Sequence, residues 1–255
     1  KKAIQGYQEL RSRTNSNPAT IVVSLPKQVQ ELITLFNQGL FEEVLSKAEP
    51  LIEIFPKEVV IFNTIGAANE RLQRYDEAIK SYKRALEIKP DYAEAYYNTG
   101  NALRNKDNLD AAIENYKKAV SIKPDYVVAH LNMGAALKEK GALDRAIESY
   151  KKALKIKPNY AAAYLNMGAA FDDKGDLDAA INSYMKALKL KPDYAVAYNN
   201  MGVSLNNNGD LAAAINSYKK ALAIKPDYAQ AYWNLYGTAS DIGEAKSWLR
   251  KCLEA

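Results

Sequence analysis

Five asparagines, Asn98, Asn132, Asn166, Asn200 and Asn234, return at intervals of 34 residues. A side-chain amide both donates and accepts hydrogen bonds, so this row is chemistry for holding polar groups. Asn is a mediocre helix former, and its return at one fixed position argues for use. The other reactive residue types are scattered. His130 and Cys252 are the only histidine and cysteine. One cysteine excludes an intramolecular disulfide and a cysteine-based zinc cluster. Asp172, Asp173, Asp176 and Asp178 form an acidic run without the glycine and closing glutamate of a calcium loop, and read as a solvated turn and helix start. No H-E-x-x-H, G-x-S-x-G or glycine-rich phosphate loop occurs. The chain offers no catalytic constellation, and no cofactor or metal is expected.

The asparagines are placed by a repeat. Ala93–Tyr126, Val127–Tyr160, Ala161–Tyr194 and Ala195–Tyr228 are four gapless copies of one 34-residue unit. Each has an aromatic or His fourth, Asn sixth, Gly eighth, Ala twentieth, Tyr twenty-fourth, Ala twenty-seventh and Pro thirty-second. His130 fills an aromatic position, so its role is packing, and Cys252 sits at a small packing position. This period predicts stacked helical hairpins, with a first helix over positions of roughly 1–14 and a second over roughly 18–31. Asp91, Asp125, Asn159, Asp193 and Asp227 are candidate N-caps of the first helices, with Glu94 completing a capping box. Gly141, Gly175 and Gly209 stand where a first helix stops and the chain turns. Gly100, Gly134, Gly168 and Gly202 are expected to face the second helix, with Ala112, Ala146, Ala180 and Ala214 facing back. Tyr116, Tyr150, Tyr184 and Tyr218 fill the gap to the next unit.

The flanks depart from this frame. Residues 1–25 form an N-terminal extension and linker, with a short amphipathic helix expected over Lys1–Leu10, a linker at Thr14–Thr20 and an apolar run at Ile21–Val23. Residues 26–58 make a divergent first unit: Leu32 replaces the Gly, Val44 the Ala and Ala48 the Tyr, and Pro50 falls inside the second helix, where it should bend it. Residues 59–228 hold five regular units, and 229–255 a shortened last one, with Tyr236 at the Gly position. The chain lacks an initiating Met and a polar capping helix at its end, so a fragment of a longer protein is expected.

With 48% hydrophobic and 25% charged residues, the composition is that of an ordinary soluble protein. No apolar run approaches the ~18 residues of a membrane helix, and the start has no signal-peptide apolar core. A reducing, cytoplasmic setting fits. The net charge of +5 is a mild excess. Lys117–Lys118, Lys151–Lys152 and Lys219–Lys220 could form a stripe for nucleic acid. Without aromatic interleaving or an RNA-type motif, they read instead as a solvated outer face, with Glu114–Lys118 and Glu148–Lys152 paired at i,i+4.

The run Tyr96-x-x-Thr99-Gly100-x-x-Leu103, then Ala112, Tyr116, Ala119 and Pro124, resembles the tetratricopeptide repeat (TPR) over Pro26–Leu253. The resemblance implies an all-α solenoid, a right-handed superhelix of antiparallel helix pairs whose first helices line a concave groove for peptides or partner proteins. The Asn series is similar to the asparagine ladder in the TPR superhelix of O-linked N-acetylglucosamine transferases, which implies that it grips an extended peptide by its backbone. Tyr97, Leu131, Leu165, Asn199 and Trp233 at the fifth position, with Asn101 and Arg104, would then read side chains. The twelfth position runs Glu70, Arg104, Lys138, Asp172 and Asn206. With only two cations there, the carboxylate clamp of chaperone-binding TPR domains is absent. The expected function is a protein–protein interaction scaffold. The alternative is the recognition arm of a larger TPR-fused, glycosyltransferase-like transferase, with nucleic-acid binding a lesser reading. Open solenoid ends stack readily, which allows an end-to-end homodimer.

Overall fold

A computed structural model describes residues 26–254. The readings made for the N-terminal extension lie outside the described residues. Those described form fourteen α-helices and no strand. By compactness the chain divides into two units, one running to Asn108 and one from Leu109. The first holds α1 (Lys27–Asn37), α2 (Phe41–Ile54), α3 (Val59–Arg71), α4 (Tyr75–Ile88) and α5 (Ala93–Asn105). The second holds α6 (Leu109–Ile122), α7 (Val127–Glu139), α8 (Leu143–Ile156), α9 (Ala161–Lys174), α10 (Leu177–Leu190), α11 (Ala195–Asn207), α12 (Leu211–Ile224), α13 (Ala229–Gly237) and α14 (Ile242–Glu254). Among the described residues no helix is long and apolar enough to cross a membrane.

The helices pair as hairpins. In the second unit α7 packs on α8, α9 on α10, α11 on α12 and α13 on α14; in the first, α1 packs on α2 and α3 on α4. Consecutive first helices also touch: α1 with α3 and α3 with α5 in the first unit, and α7 with α9, α9 with α11 and α11 with α13 in the second. Among the described residues no contact of that extent joins consecutive second helices within a unit. Each unit therefore closes toward the face made by its first helices.

The turns follow from backbone chemistry. Gly141, Gly175 and Gly209 adopt φ of +79°, +82° and +89°, as their placement predicts. Ala142 N–H then reaches back to Leu137 O at 2.8 Å and Gly141 N–H to Lys138 O at 2.9 Å, which satisfies the last carbonyls of α7. Gln73 and Asp107 take the same left-handed turn at φ +59° without a glycine.

Helix entry differs from expectation. The N-caps of α5, α7, α9, α11 and α13 are Tyr92, Tyr126, Tyr160, Tyr194 and Tyr228, none with a side-chain cap. Asp91, Asp125, Asn159, Asp193 and Asp227 stand one residue too early, inside the turn, and Glu94 completes no capping box. Instead the lysine before each Pro covers the tyrosine ring: Lys123 Nζ lies 4.9 Å from the Tyr126 centroid and Lys191 Nζ 4.7 Å from that of Tyr194. Carboxylate caps occur elsewhere. Asp176 and Asp210 accept from Ala179 N–H at 3.2 Å and Ala213 N–H at 3.1 Å, opening the second helices α10 and α12.

The eighth-position glycines serve the tyrosines. A Cβ on Gly66, Gly134, Gly168 or Gly202 would stand 2.4, 2.5, 2.6 or 2.5 Å from Cε1 of Tyr82, Tyr150, Tyr184 or Tyr218 in its own hairpin. So each Gly makes room for the tyrosine ring of its own hairpin. The ring also meets the next first helix, as expected: Tyr82 packs with Ala102, and Tyr218 with Leu235. In the divergent hairpin Leu32 and Ala48 share one core, so bulk has moved from the tyrosine position to the glycine position. Helix α2 runs through Pro50. A recurring ion pair links a lysine at the end of one first helix to an aspartate opening the previous second helix. Lys106 meets Asp76 at 2.5 Å, Lys174 meets Asp144 at 2.5 Å, and Lys140 meets Asp110.

Candidate functional site

All five asparagines of the series are half-buried on first helices: Asn98 on α5 in the first unit, and Asn132, Asn166, Asn200 and Asn234 on α7, α9, α11 and α13 in the second. Two of them are tied to the preceding hairpin. Asn98 Nδ2 donates to Asn63 Oδ1 at 3.0 Å, and Asn234 Nδ2 donates to Asn199 Oδ1 at 2.8 Å. The rule is local: an Asn at the fifth position accepts from the sixth-position Asn one hairpin on. On α7 and α9 the fifth position is Leu131 and Leu165, which have no acceptor to offer. The Asn166 side chain accordingly makes no hydrogen bond within the described residues, whereas Asn132 is partnered. Asn200 accepts a long 3.4 Å bond from Asn199 Nδ2 and lies within hydrogen-bonding reach of Tyr184.

Beside Asn200 the first-helix face opens into a hollow of about 340 Å³ between α9 and α11, lined among others by Ala169, Asp172, Tyr184 and Val203. Its floor is a polar network. Tyr184 Oη donates to Asp172 Oδ2 at 2.6 Å, and Ser204 Oγ to Asp172 Oδ1 at 2.6 Å. Lys138 Nζ holds Asp173 at 2.6 Å on the rim. Burial, then the Asp172 carboxylate beside it, push the Tyr184 phenol well above the usual tyrosine range. Asp172 is therefore a structural acceptor and not part of a solvated turn. In the first unit Glu70 does the same work, accepting from Tyr82 Oη at 2.9 Å. Burial raises the Glu70 carboxyl despite that bond.

The remaining expected contact residues separate into two groups. Leu131 is only 9% exposed and Asn199 3%, so neither presents a surface to a ligand; Leu131 is core, and Asn199 is held against Asn234. Leu165 is half-buried against the core around Leu188 and Ala197. Trp233 is 52% exposed and lies against Tyr236, ring centroids 5.4 Å apart. Tyr97, Asn101 and Arg104 share α5 with Asn98, half-buried and each engaged within the chain. His130 packs as expected, its Nε2 2.9 Å from Pro124 O, and Cys252 is half-buried with Sγ 3.4 Å from Ala229 O. On the second helices Glu148 pairs with Lys152 at 2.8 Å as expected, but Glu114 takes Lys117 at 2.6 Å instead of Lys118. Among the described residues no group of three or more His, Cys, Asp or Glu side chains is placed to hold a metal ion. Sequence reasoning missed Tyr184, Ser204 and Tyr236 as parts of this face. Only the alignment of successive repeats puts Ser204 beside Asp172, which precedes it by nearly one period.

A family model described as the TPR repeat matches residues 66–107, 100–141, 136–174, 171–209 and 204–235. The chain belongs to the tetratricopeptide repeat family. As a TPR chain it is a protein-interaction scaffold of paired helices. Among curated protein sequences none matches it. It is similar to the crystal structure of MamA, with 28% identity and a TM-score of 0.61 over 65% of this chain and 97% of that one. It shares its fold with the C-terminal part of a TPR repeat-containing protein from Cytophaga hutchinsonii, at 18% identity and a TM-score of 0.72 over 89% of this chain and 94% of that one. It also shares the fold of YrrB, described as a TPR protein with an unusual peptide-binding site, at 22% identity and a TM-score of 0.61 over 72% of this chain and 95% of that one.

Proposed function

We propose that the first-helix face of the second unit binds an extended polypeptide, held by its backbone at Asn166 and Asn200 and by an aromatic contact at Trp233 and Tyr236. The observation that carries this reading is Asn166. Its amide is half-buried on a face where consecutive first helices touch, and it has no partner within the described residues. An amide can satisfy both the N–H and the C=O of a peptide unit whatever the side chain. The spacing also suits an extended ligand. Packed helices lie ~8–10 Å apart and an extended chain advances ~3.3 Å per residue, so successive asparagines would meet about every third peptide unit. That YrrB is described as having a peptide-binding site agrees with this use of the fold.

The test uses twelve-residue peptides selected from a random displayed library against the full chain, with affinity read by fluorescence anisotropy. Asn166→Ala removes both amide bonds to the ligand at a side chain that makes no hydrogen bond of its own within the described residues. Expected is a loss of ~1–2 kcal/mol, roughly 5- to 30-fold in affinity, with unchanged helicity by circular dichroism. Trp233→Ala should also weaken binding. Undiminished affinity in both variants would refute the reading.

A further inference from the structure

The face made by the second helices carries a feature that the repeat alone does not provide. Between α6 and α8, and over α7, lies a hollow of about 550 Å³. Val120, His130 and Leu137 are among its apolar and ring walls. Two of its lining residues depart from the later repeats. His130 stands at the fourth position, where α9 and α11 carry Tyr164 and Tyr198. Val120 stands where later second helices carry Leu154, Leu188 and Leu222. In those later hairpins a lysine covers the tyrosine ring: Lys186 Nζ lies 5.9 Å from the Tyr164 centroid, and Lys220 Nζ 5.6 Å from that of Tyr198. The lysine in the same position here is Lys152, which lines the hollow and has turned to Glu148 at 2.8 Å. The hollow is therefore walled by an imidazole and a valine where the chain's own later repeats carry a larger phenol ring and a leucine.

Its chemistry is equally specific. His130 Nε2 lies 2.9 Å from Pro124 O, which places the ring proton on Nε2 and leaves Nδ1 as an acceptor. Nδ1 is buried and has no partner. Lys117 and Lys152 on the rim are each paired with a glutamate. Arg145, also on the rim, feels Glu114 and Glu148 without a direct ion pair among the described residues, and Lys155 has no ion-pair partner among them.

We propose that this hollow is a second docking site, which takes a tyrosine side chain from an acidic segment of a partner protein. The ring enters the hollow beside His130 and Val120 and lies against Lys152. Entry of the ring tilts the His130 imidazole enough to bring Nδ1, shielded in the free protein, to the phenol O–H, the donor it lacks. Carboxylates flanking the tyrosine meet Arg145 and Lys155. The site is independent of the first-helix face, and Asn166→Ala should leave it intact.

The experiment titrates the full chain with a fluorescein-labelled nine-residue peptide, one Tyr between four Glu on each side, and with the same peptide carrying Phe or Ala in its place. The double variant His130→Tyr, Val120→Leu refills the hollow with residues the neighbouring hairpins already use, so its fold should be kept and circular dichroism checks this. Expected is saturable one-to-one binding of the Tyr peptide and weaker binding of the Phe peptide. A loss of about tenfold or more is expected for the Ala peptide and for the refilled variant, and a smaller loss for Arg145→Gln with Lys155→Gln. Equal binding of the Tyr and Ala peptides would leave only a basic patch and overturn the proposal. So would undiminished binding by the refilled variant, no binding at millimolar peptide, or an oligonucleotide of equal charge binding as tightly and losing affinity in the same variants.

Discussion

Replacing Gly168 by Ala tests the packing logic of the whole stack with a single methyl group. That carbon would stand 2.6, 2.8 and 2.9 Å from Cε1, Cδ1 and Cζ of Tyr184, about 1 Å inside the ~3.5–4.0 Å optimum for carbon contacts. The ring is 1% exposed and cannot swing away without giving up its 2.6 Å bond to Asp172. Overpacking of this kind costs ~1–3 kcal/mol, and losing a hydrogen bond to a carboxylate ~1.5–3 kcal/mol. Alanine returns ~1 kcal/mol through helix propensity. A net loss of about 2 kcal/mol is expected. Urea denaturation followed by helical circular dichroism measures it, and amide exchange in α9 and α10 shows whether the loss is local, since stacked hairpins can open one at a time. The control is the same change in a Tyr184→Leu background. With the ring gone, Gly168→Ala should stabilise by ~0.5–1 kcal/mol. A cost of the same size in both backgrounds, or a gain in the wild-type background, refutes the assignment of this glycine to the tyrosine.

Glu70→Gln should raise stability at neutral pH. Burial holds the Glu70 carboxyl above its ordinary 4.5, so the native state keeps this proton longer than the unfolded chain; the group's stabilisation is complete below pH 4.5 and is lost as pH rises through the folded value. Melting temperatures of wild type and variant should therefore diverge in the variant's favour between pH 4 and 7, and parallel curves count against the argument. Burial likewise pushes the Tyr218 phenol up to about 12 from 10.0; its contribution is present below pH 10 and lost above it, so Tyr218→Phe should unfold less steeply between pH 10 and 12, with phenolate absorbance at 295 nm as the readout. Asn208 stands where Lys106, Lys140 and Lys174 make their ion pairs, and the matching aspartate, Asp178, has no ion pair among the described residues. Asn208→Lys should add up to ~1 kcal/mol, and a gain that survives 1 M salt would show that the ion pair is not its source.

Much of the fold is legible because the repeat writes it several times. Gly141, Gly175 and Gly209 announce the turns through backbone sterics alone, and each adopts the left-handed conformation that only glycine takes without cost. Where the sequence misleads, the missing information is three-dimensional register. Asp91 and its equivalents have the right chemistry for a cap, but a shift of one residue, set by the Lys-Pro-Asp-Tyr turn, passes that position to tyrosine. Gly168 and Tyr184 are both visible as recurring residues, yet only the crossing of two helices shows that one is shaped for the other. Asp172 looks solvated beside Asp173, Asp176 and Asp178 because a linear run does not distinguish a side chain turned under the next helix from one turned to water.

The same register decides how much of the asparagine series is available to a ligand. Position six is constant from Asn98 to Asn234, but position five is not. Asn63 and Asn199 each take one amide hydrogen of the asparagine one hairpin later, and so fix that side chain. Leu131 and Leu165 are turned into packing instead, and leave the following amide to find another partner or none. Asn166 finds none. A leucine at position five is thus as informative about ligand binding as the asparagine that follows, because it withholds the internal acceptor. Exchanging Leu131 for Asn should tie Asn166 down as Asn199 ties Asn234. If Asn166 holds a ligand backbone, that exchange should weaken peptide binding about as much as Asn166→Ala does, while lowering thermal stability, because a buried leucine worth ~2–5 kcal/mol is given up for one hydrogen bond worth about 1 kcal/mol. Leu131→Ala, which leaves the same gap without supplying an acceptor, is the control: equal weakening in both variants would mean only a disturbed core, and unchanged binding by the Asn variant would remove Asn166 from the site.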